Sequence, residues 1–397
     1  YVGDIFGAPL AIEGLMAFFL ESTFIGLFFF GWERLSRVQH LGVTWLVALG
    51  SNLSALWILI ANGWMQNPVG AAFNFETMRM ELTDFGALLF NPVAQVKFVH
   101  TVSSGYVTGS IFVLAISSYY LLKKRDLAFA RRSFAIAAIF GLASTFCVIL
   151  LGDESGYEIG DVQKTKLAAI EAEWHTEPAP ASFTLFGIPN QQEMRTDYAI
   201  KIPYVLGLIA TRSTTGQVTG IQDLMTEHEN RIRNGMVAYG QLEQLREGNR
   251  TPELLTAFKA TQKDLGYGLL LKKYTPNVTD ATDEQIKSAA KDSIPNVKAL
   301  FFTFRAMVAS GVLMLLLFLL AAWSVARRNF EQKPWLLKFA LYALPLPWIA
   351  TQTGWYVAEG GRQPWTIGEV LPTHLSASSL STGDLAGSIF ALVAFYT

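Results

Sequence analysis

Residues 299–325 read ALFFTFRAMVASGVLMLLLFLLAAWSV, with Arg305 as the one charged residue. A helix needs roughly 20 consecutive, predominantly apolar residues to cross the hydrocarbon core of a membrane. This stretch therefore predicts a membrane span. Comparable stretches predict further spans at 5–31, 41–64, 94–122, 130–151 and 335–358, and a seventh apolar run begins near residue 385.

The composition supports a membrane protein. Of the 397 residues, 51% are hydrophobic and 16% are charged, whereas soluble domains carry about 25% charged residues. More than half of the charges lie in residues 152–298. The net charge of −1 indicates no nucleic-acid partner. The single Cys147 excludes a disulfide framework and a zinc site built on cysteines. A soluble enzyme is excluded.

The predicted fold is an all-α, polytopic transmembrane helix bundle with a long, mainly helical extracytoplasmic loop. Three segments follow from the hydropathy: 1–151 with four spans, the polar insert 152–298, and 299–397 with two spans and a truncated seventh. Within the insert, the apolar spacing predicts amphipathic helices over 161–174 and 221–245. Because the chain begins at Tyr1 rather than Met and the last apolar run stops at Thr397, we expect a fragment of a longer protein.

Loop charges predict the orientation, because cytoplasmic loops of membrane proteins carry an excess of Lys and Arg. Basic residues cluster in the loops after the first, third and fifth spans, at 34–37, 123–132 and 327–338. The alternate loops, 65–93 and 359–384, contain only two basic residues, Arg79 and Arg362. The insert 152–298 is therefore expected on the outer side.

Two glutamates interrupt the first span. Glu13 and Glu21 are eight residues apart, which is about 80° of rotation and about 12 Å of rise on a helix. They are expected near one face at different depths, Glu13 nearer the outside. Ionisable residues inside a membrane are costly and mark function by default. Either they are protonated carboxyls hydrogen-bonded between helices, or they form two stations of a proton path.

His100 and Met307 lie at similar depths of roughly 9–12 Å below the outer ends of their spans. Each has an ordinary explanation, since a lone His can be a packing residue and Met usually fills cores. Together they match a His/Met axial pair, which holds low-spin haem and raises its potential. Arg305, two positions before Met307, is an intramembrane cation that needs an anion, which a haem propionate would supply.

The end of the sixth span supports two interpretations. Trp355 and other aromatic residues suit an interfacial belt with a solvated Glu359. Alternatively, Glu359 is a carboxylate ligand, and Arg362 beside it faces the acidic edge of a cofactor.

Five runs of sequence resemble one family. They are KFVHTVSSGYVTG (97–109), GDESGYEIGDVQKTKLAAIEAEW (152–174), GYGLLLKKYTPNV (266–278), FFTFRAMVASG (301–311) and GWYVAEGGRQPW (354–365). They are similar to subunit I of the cytochrome bd quinol oxidases, and the resemblance covers essentially the whole chain. It implies a respiratory oxidase of the bacterial cytoplasmic (inner) membrane. Such an enzyme reduces oxygen to water with electrons from quinol, using a low-spin haem b, a high-spin haem b and a haem d.

The resemblance also implies roles for the residues singled out above. His100 and Met307 match the axial ligands of the low-spin haem b, and Arg305 matches the arginine beside it. Glu359 matches the ligand of the high-spin haem b. The resemblance also places Trp355 and Arg362 close to that haem and its propionates.

Four further residues match the proton and quinol sites of the family. Glu13 matches the glutamate at the oxygen-site haems, and Glu21 the carboxylate on the proton path from the cytoplasm. Lys166 and Glu171 match the quinol-binding pair of the long outer loop, the Q-loop, which corresponds to 152–298. On a straight helix, however, these two side chains diverge by about 140°.

The implied partners are subunit II, a small single-helix subunit, ubiquinol or menaquinol, oxygen and membrane lipid, with no nucleic acid. The family also has a transmembrane helix that precedes the position of Tyr1 and carries a histidine ligand, so the oxygen site is expected to be incomplete in this fragment.

Two hypotheses from other classes compete with an oxidase. The first is a haem-free secondary transporter with Glu13 and Glu21 as its ion site, although such proteins usually contain paired broken helices and internal repeats, which the sequence lacks. The second is a structural membrane subunit whose quinol site lies elsewhere.

Overall fold

The computed structural model describes residues 1–377 and 379–396, so the predicted end of the last apolar run at Thr397 lies outside the described residues. Within these residues, five helical segments are long and apolar enough to cross a membrane. They are Gly3–Phe30, Arg37–Gln66, Phe85–Leu122, Leu127–Val162 and Asp283–Ala326. The prediction of a polytopic helical bundle is confirmed.

The first span is a helix with a widened middle. Helix α1 (Gly3–Ile12) continues through a π-helical segment, Glu13–Phe18, into α2 (Phe19–Phe30). Such π-helical turns inside α-helices occur frequently at functional sites. Helix α3 (Arg37–Gln66) follows and begins with a capping box formed by Ser36 and Gln39.

Two short elements separate α3 from the next span. Strands β1 (Ala71–Asn74) and β2 (Arg79–Leu82) form an antiparallel hairpin, and α4 (Phe85–Leu89) follows it. Helix α5 (Pro92–Leu122) then starts with Pro at its first position, and the side chain of Asn91 accepts a hydrogen bond from the Val93 amide.

Helix α6 (Leu127–Val162) continues eleven residues beyond the predicted end of the fourth span at 151. The predicted helix over 161–174 is therefore divided. Gln163 has φ −136°, and α7 (Lys164–Glu171) begins after it. Ala172 ends α7 in the left-handed region at φ 53°, which stops the helix before Trp174.

The insert contains a β-hairpin that the sequence analysis missed. Strands β3 (Phe183–Asn190) and β4 (Arg195–Ile202) are antiparallel. The remaining regular elements of the insert are helical, as expected, and the helix over Ile221–Arg246 confirms the second predicted amphipathic helix. These helices are α8 (Val205–Thr211), α9 (Ile221–Arg246), α10 (Pro252–Thr261), α11 (Leu265–Leu269) and α12 (Asp283–Asp292).

Helix α13 (Val297–Ala326) is the fifth predicted span, and the sixth is broken into α14 (Pro334–Tyr342) and α15 (Leu346–Gly360). The break falls at Pro345, because proline lacks an amide hydrogen and its ring clashes with the preceding turn. Strands β5 (Trp365–Ile367) and β6 (Leu371–Pro372) pair after α15, and α16 (Thr382–Tyr396) ends the described chain.

The main apolar core lies where α5, α6, α13 and α14 meet. Its fully buried members include Ile111, Phe134, Leu317 and Leu336. Phe134 also stacks on Phe330 at a centroid distance of 4.8 Å. This core fixes the helices that carry His100 and Met307.

Candidate functional site

The two glutamates of the first span both face α3. Ser54 Oγ donates a hydrogen bond of 2.7 Å to Glu13 Oε1, and Ser51 Oγ donates one of 2.9 Å to Glu21 Oε1. Glu13 begins the π-helical segment. The prediction that Glu13 and Glu21 lie on one face of the first span is confirmed, since both bond to α3. Each carboxylate has its own serine partner on that helix.

His100 and Met307 each face a glycine on a neighbouring helix. A Cβ atom on Gly152 of α6 would lie 3.5 Å from His100 Cε1, and one on Gly354 of α15 would lie 2.8 Å from Met307 Sδ. Among the described residues, the buried Nδ1 of His100 has no hydrogen-bond partner. The two predicted ligands therefore pack closely against neighbouring helices, at positions where those helices carry no side chain.

Arg305 is paired with Glu171, which the sequence analysis did not foresee. Arg305 Nη2 lies 3.0 Å from Glu171 Oε2, and Nη1 donates to the Ile170 carbonyl at 3.0 Å. Arg305 Nε donates to the carbonyl of Thr184 in β3 at 3.1 Å, and the guanidinium lies 3.3 Å from the centroid of the Phe301 ring. Burial raises the pKa of Glu171 to about 7, although Arg305 opposes the shift.

A second polar cluster surrounds Glu359 at the C-terminal end of α15. Asn62 Nδ2 donates to Glu359 Oε1 at 3.0 Å, and Gln66 Nε2 donates to the same oxygen at 3.4 Å. Arg362 forms an ion pair with Glu359 Oε2. Lys97 Nζ donates to Asn62 Oδ1 at 2.9 Å. The carboxylate is thus held by groups from α3, from the turn after α15 and, through Asn62, from α5.

Lys166 belongs to this second cluster. Its ammonium donates to Gln66 Oε1 at 2.7 Å and to Gln163 Oε1 at 2.5 Å. Burial lowers the pKa of Lys166 well below its ordinary value, and the charge of Lys97 adds to the effect. Within residues 1–377 and 379–396, no hydrogen bond joins Lys166 to Glu171. The two predicted quinol contacts therefore serve different clusters, which agrees with their divergence on a helix.

A cavity of about 710 Å³ lies beside Lys166 and Arg362. Segments 66–73, 161–166 and 361–370 and residues of α9 and α11 line it. His228 of α9 also faces this space. Its Nδ1 is 2.7 Å from Ser293 Oγ, and burial lowers the pKa of its imidazole to about 4, with Arg231 contributing.

Several polar residues of these clusters were missed by the sequence analysis: Ser51, Ser54, Asn62, Gln66, Lys97 and Gln163. One of them had a usable signal. Lys97 is a charged residue inside an apolar stretch, three positions before His100, and such residues mark function by default. The amides and serines carry no comparable signal, since only the packing of α3 against other helices shows their partners.

The residues fit the haems that the resemblance implies. In the part of the chain that the structure describes, His100 has a buried ring nitrogen without a hydrogen-bond partner, as expected of a side chain that ligates a metal. Among the described residues, Arg362 Nε and Nη1 are buried without a partner, as expected of an arginine that binds an acidic cofactor edge. Trp355 is 53% exposed on α15.

Comparisons with known proteins agree with this geometry. The family described as cytochrome bd terminal oxidase subunit I matches residues 1–397. The chain is 53% identical over 397 residues to cytochrome bd-II ubiquinol oxidase subunit 1 of Escherichia coli strain K12, covering 100% of the chain and 77% of that relative. It is 35% identical over 396 residues to cytochrome bd ubiquinol oxidase subunit 1 of Bacillus subtilis strain 168, and this match covers 100% of the chain and 72% of that relative.

A solved structure shows the same fold. The bd oxidase from Geobacillus thermodenitrificans superposes with a TM-score of 0.72 at 25% identity, covering 99% of this chain and 75% of that one. The transporter hypothesis finds no support in these comparisons. The chain belongs to the family of cytochrome bd terminal oxidase subunit I.

Proposed function

We propose that this chain is the haem-binding, quinol-oxidising subunit of a terminal respiratory oxidase. The observation that carries the proposal is the ion pair between Glu171 and Arg305. Glu171 is the predicted quinol contact, and Arg305 lies two positions before Met307, the predicted ligand of the first electron acceptor. The chain thus links a residue for the electron donor directly to the helix that holds the acceptor.

Haems supply one-electron transfer and the iron at which oxygen is reduced. His100 and Met307 would hold the low-spin haem b, and Glu359 would hold the high-spin haem b, with Arg362 at its acidic edge. Haem d completes the proposed set. Two clusters, one around each proposed haem b, support this division.

Glu171 is suited to accept a proton from quinol. A general base works best when its pKa lies near the working pH, and burial brings the pKa of Glu171 to about 7. Arg305 orients the carboxylate and stabilises its charged form. Lys166 is the other predicted quinol contact, but its side chain faces the Glu359 cluster, so Glu171 carries the proposal for quinol.

Glu21 and Glu13 would pass protons in the opposite direction, from the cytoplasm to the oxygen site. Both carboxylates lie on the α3 side of the first span, and the hydroxyl groups of Ser51 and Ser54 accompany them. Quinol protons leave outward and oxygen takes protons from inside. The reaction therefore separates charge across the membrane without a pump.

The basic loops support a multi-pass protein of the bacterial cytoplasmic membrane, with segment 152–298 outside as the quinol-binding loop. Subunit II and a small single-helix subunit are proposed partners. The exposure of the first span supports such partners, because only 6% of an 18-residue apolar stretch within Gly3–Phe30 is buried inside this chain. Ubiquinol or menaquinol would be the electron donor.

Quinol-dependent oxygen consumption of the complete oxidase tests the proposal. Glu171→Gln should raise the apparent KM for quinol and slow turnover, while the reduced-minus-oxidised spectrum retains all haem bands. Glu173→Gln is the matched control, because Glu173 is also buried and lies two positions away. A wild-type preparation without haem bands, or equal defects in both variants, would contradict the proposal.

A further inference from the structure

The β3–β4 hairpin and α8 expose apolar side chains that the proposed function does not use. Ile200 and Ile202, two positions apart on β4, point to one side of the hairpin, and Phe186 of β3 is the cross-strand partner of Ile200. Contiguous exposed apolar surface marks a site of contact with a protein or a membrane. We call the exposed apolar side chains of this unit the hairpin surface; they are Phe186, Tyr198, Ile200, Ile202, Tyr204 and Leu208.

The hairpin lies along the first turns of a membrane span. At its tip, the amide of Val297, the first residue of α13, donates to Gln191 Oε1 at 3.1 Å. At its base, Arg305 binds the carbonyl of Thr184 and also that of Phe301. The base therefore lies beside residues four to eight positions inside α13, about 6–12 Å along the helix.

This depth corresponds to the edge of a bilayer. The apolar stretch 299–325 is about 40 Å long as a helix, which matches a bilayer with its headgroup layers rather than the hydrocarbon core of about 30 Å alone. The base of the hairpin is therefore level with the boundary between headgroups and acyl chains.

The backbone at the base is satisfied by the protein. The register of β3 against β4 shifts between Thr184 and Phe186. At this irregularity, Arg305 Nε donates to the carbonyls of Thr184 and Leu185 at 3.1 and 3.2 Å. Lipid offers no hydrogen bonds to replace those of water, so backbone groups at membrane depth need partners within the protein. The guanidinium supplies such a partner to the edge of β3.

Charge is distributed along the hairpin in the same sense. Residues 183–211 contain four charged side chains, and three of them lie at 193–197, beside the tip. Arg195 pairs there with Glu193 and Asp197. The fourth, Lys201, forms an ion pair with Glu177. The tip thus suits water, whereas the base and α8 are apolar and include two tyrosines, which favour membrane interfaces.

We propose that the hairpin surface lies in the lipid bilayer, at the boundary between headgroups and acyl chains in the leaflet next to the N-terminus of α13. Its occupant is phospholipid. The proposal depends on α13 crossing the membrane and is independent of the haem and quinol assignments. Segment 152–298 is then held to the membrane by the hairpin as well as by the two spans that flank it.

Photo-crosslinking of the complete oxidase in phospholipid nanodiscs tests the proposal. The probe is p-benzoylphenylalanine, which inserts into nearby C–H bonds on illumination, placed at Ile200. Mass spectrometry of the digested subunit detects phospholipid adducts. Val312, exposed in the middle of α13, is the positive control, and Gln192, exposed at the tip, is the negative control. The adduct yield at Ile200 should be close to that at Val312 and far above that at Gln192.

Tyr198 provides a second probe position if the substitution of Ile200 hinders assembly, because the probe extends an aromatic ring that is already 81% exposed. It should also yield phospholipid adducts. Adducts at Val312 but not at either hairpin position would overturn the proposal. Crosslinks from the hairpin to another subunit in place of lipid would overturn it too, since a protein would then cover the surface. Equal yields at Gln192 and Ile200 would show unselective contact and have the same consequence.

Discussion

Asn62 and Glu359 are 297 positions apart in the chain and are joined by a hydrogen bond of 3.0 Å from Nδ2 to Oε1. The same amide accepts from Lys97 through Oδ1. Its orientation is fixed from both sides, because only the nitrogen can donate to a carboxylate and only the oxygen can accept from an ammonium. Asn62 therefore connects the cation of α5 to the carboxylate of α15.

Asn62→Leu should destabilise the high-spin haem site. The change keeps a similar volume but removes a partner from both Lys97 and Glu359. Glu359 keeps Gln66 and Arg362, whereas Lys97 loses the acceptor of its ammonium group, and an unsatisfied buried charge costs at least about 1–3 kcal/mol. The high-spin haem band should disappear at a lower temperature than in the wild type. Asn52→Leu is the control on the same helix, since Asn52 bonds to the Tyr106 hydroxyl instead. Equal losses in both variants would contradict the assigned role.

Met307→Leu should preserve packing but remove one axial ligand. We expect the low-spin haem to become high-spin and its potential to fall, measured by visible spectroscopy and redox titration. Met314→Leu, at a buried core position of the same helix, should change neither. An unchanged low-spin spectrum in Met307→Leu would remove this residue from the ligand set.

The rate of quinol oxidation should depend on the ionisation of Glu171. Since its pKa is about 7, the carboxylate is charged above that pH and able to accept a proton, and it is neutral below. The rate should therefore rise as the pH passes through about 7, and Glu171→Gln should abolish this rise. Burial also raises the pKa of Glu173 to about 7, so Glu173→Gln must keep the pH profile. If Glu173→Gln also lost the rise in rate, the pH dependence would belong to Glu173, and the role given to Glu171 would be contradicted.

The segment 152–298 should lose stability in acid because of His228. Its pKa falls from 6.5 to about 4 on folding, so between these values the unfolded loop binds a proton that the folded loop does not. Stability is complete above pH 6.5 and decreases as the pH falls toward 4, by about 1.4 kcal/mol per pH unit. Hydrogen exchange of α9 at pH 6.5 and 4.5 measures the effect. His228→Gln should flatten the dependence, whereas His175→Gln, at an exposed site, should retain it.

Glu21→Gln tests the proton path. Glutamine keeps the shape and can still bond to Ser51, but it cannot carry a proton. The variant should assemble and accept electrons from quinol, yet reduce oxygen slowly, so reduced haem should accumulate during turnover. Glu33→Gln, in the exposed loop after the first span, should be normal. Wild-type oxygen consumption in Glu21→Gln would mean that this residue only packs.

The spans were predictable because hydropathy is a local property of the sequence, and the His100/Met307 and Glu13/Glu21 patterns follow from helical geometry. The hairpin of β3 and β4 was not predictable from the sequence, because strand formation depends strongly on the side chains against which a strand packs. The partner of Arg305 was also unpredictable. The sequence shows that a buried cation needs an anion, but only the folding of α7 against α13 shows that Glu171 is that anion.

The contacts of Arg305 impose an order on the biogenesis of the protein. Its guanidinium binds the carbonyls of Ile170 and Thr184, which precede it by 135 and 121 positions. The ribosome therefore releases the whole segment 152–298 before Arg305, whose guanidinium binds it. Until α13 inserts, Arg305 is not available to Glu171 or to the base of the hairpin. Protease resistance of the loop should accordingly appear only in nascent chains long enough to contain α13.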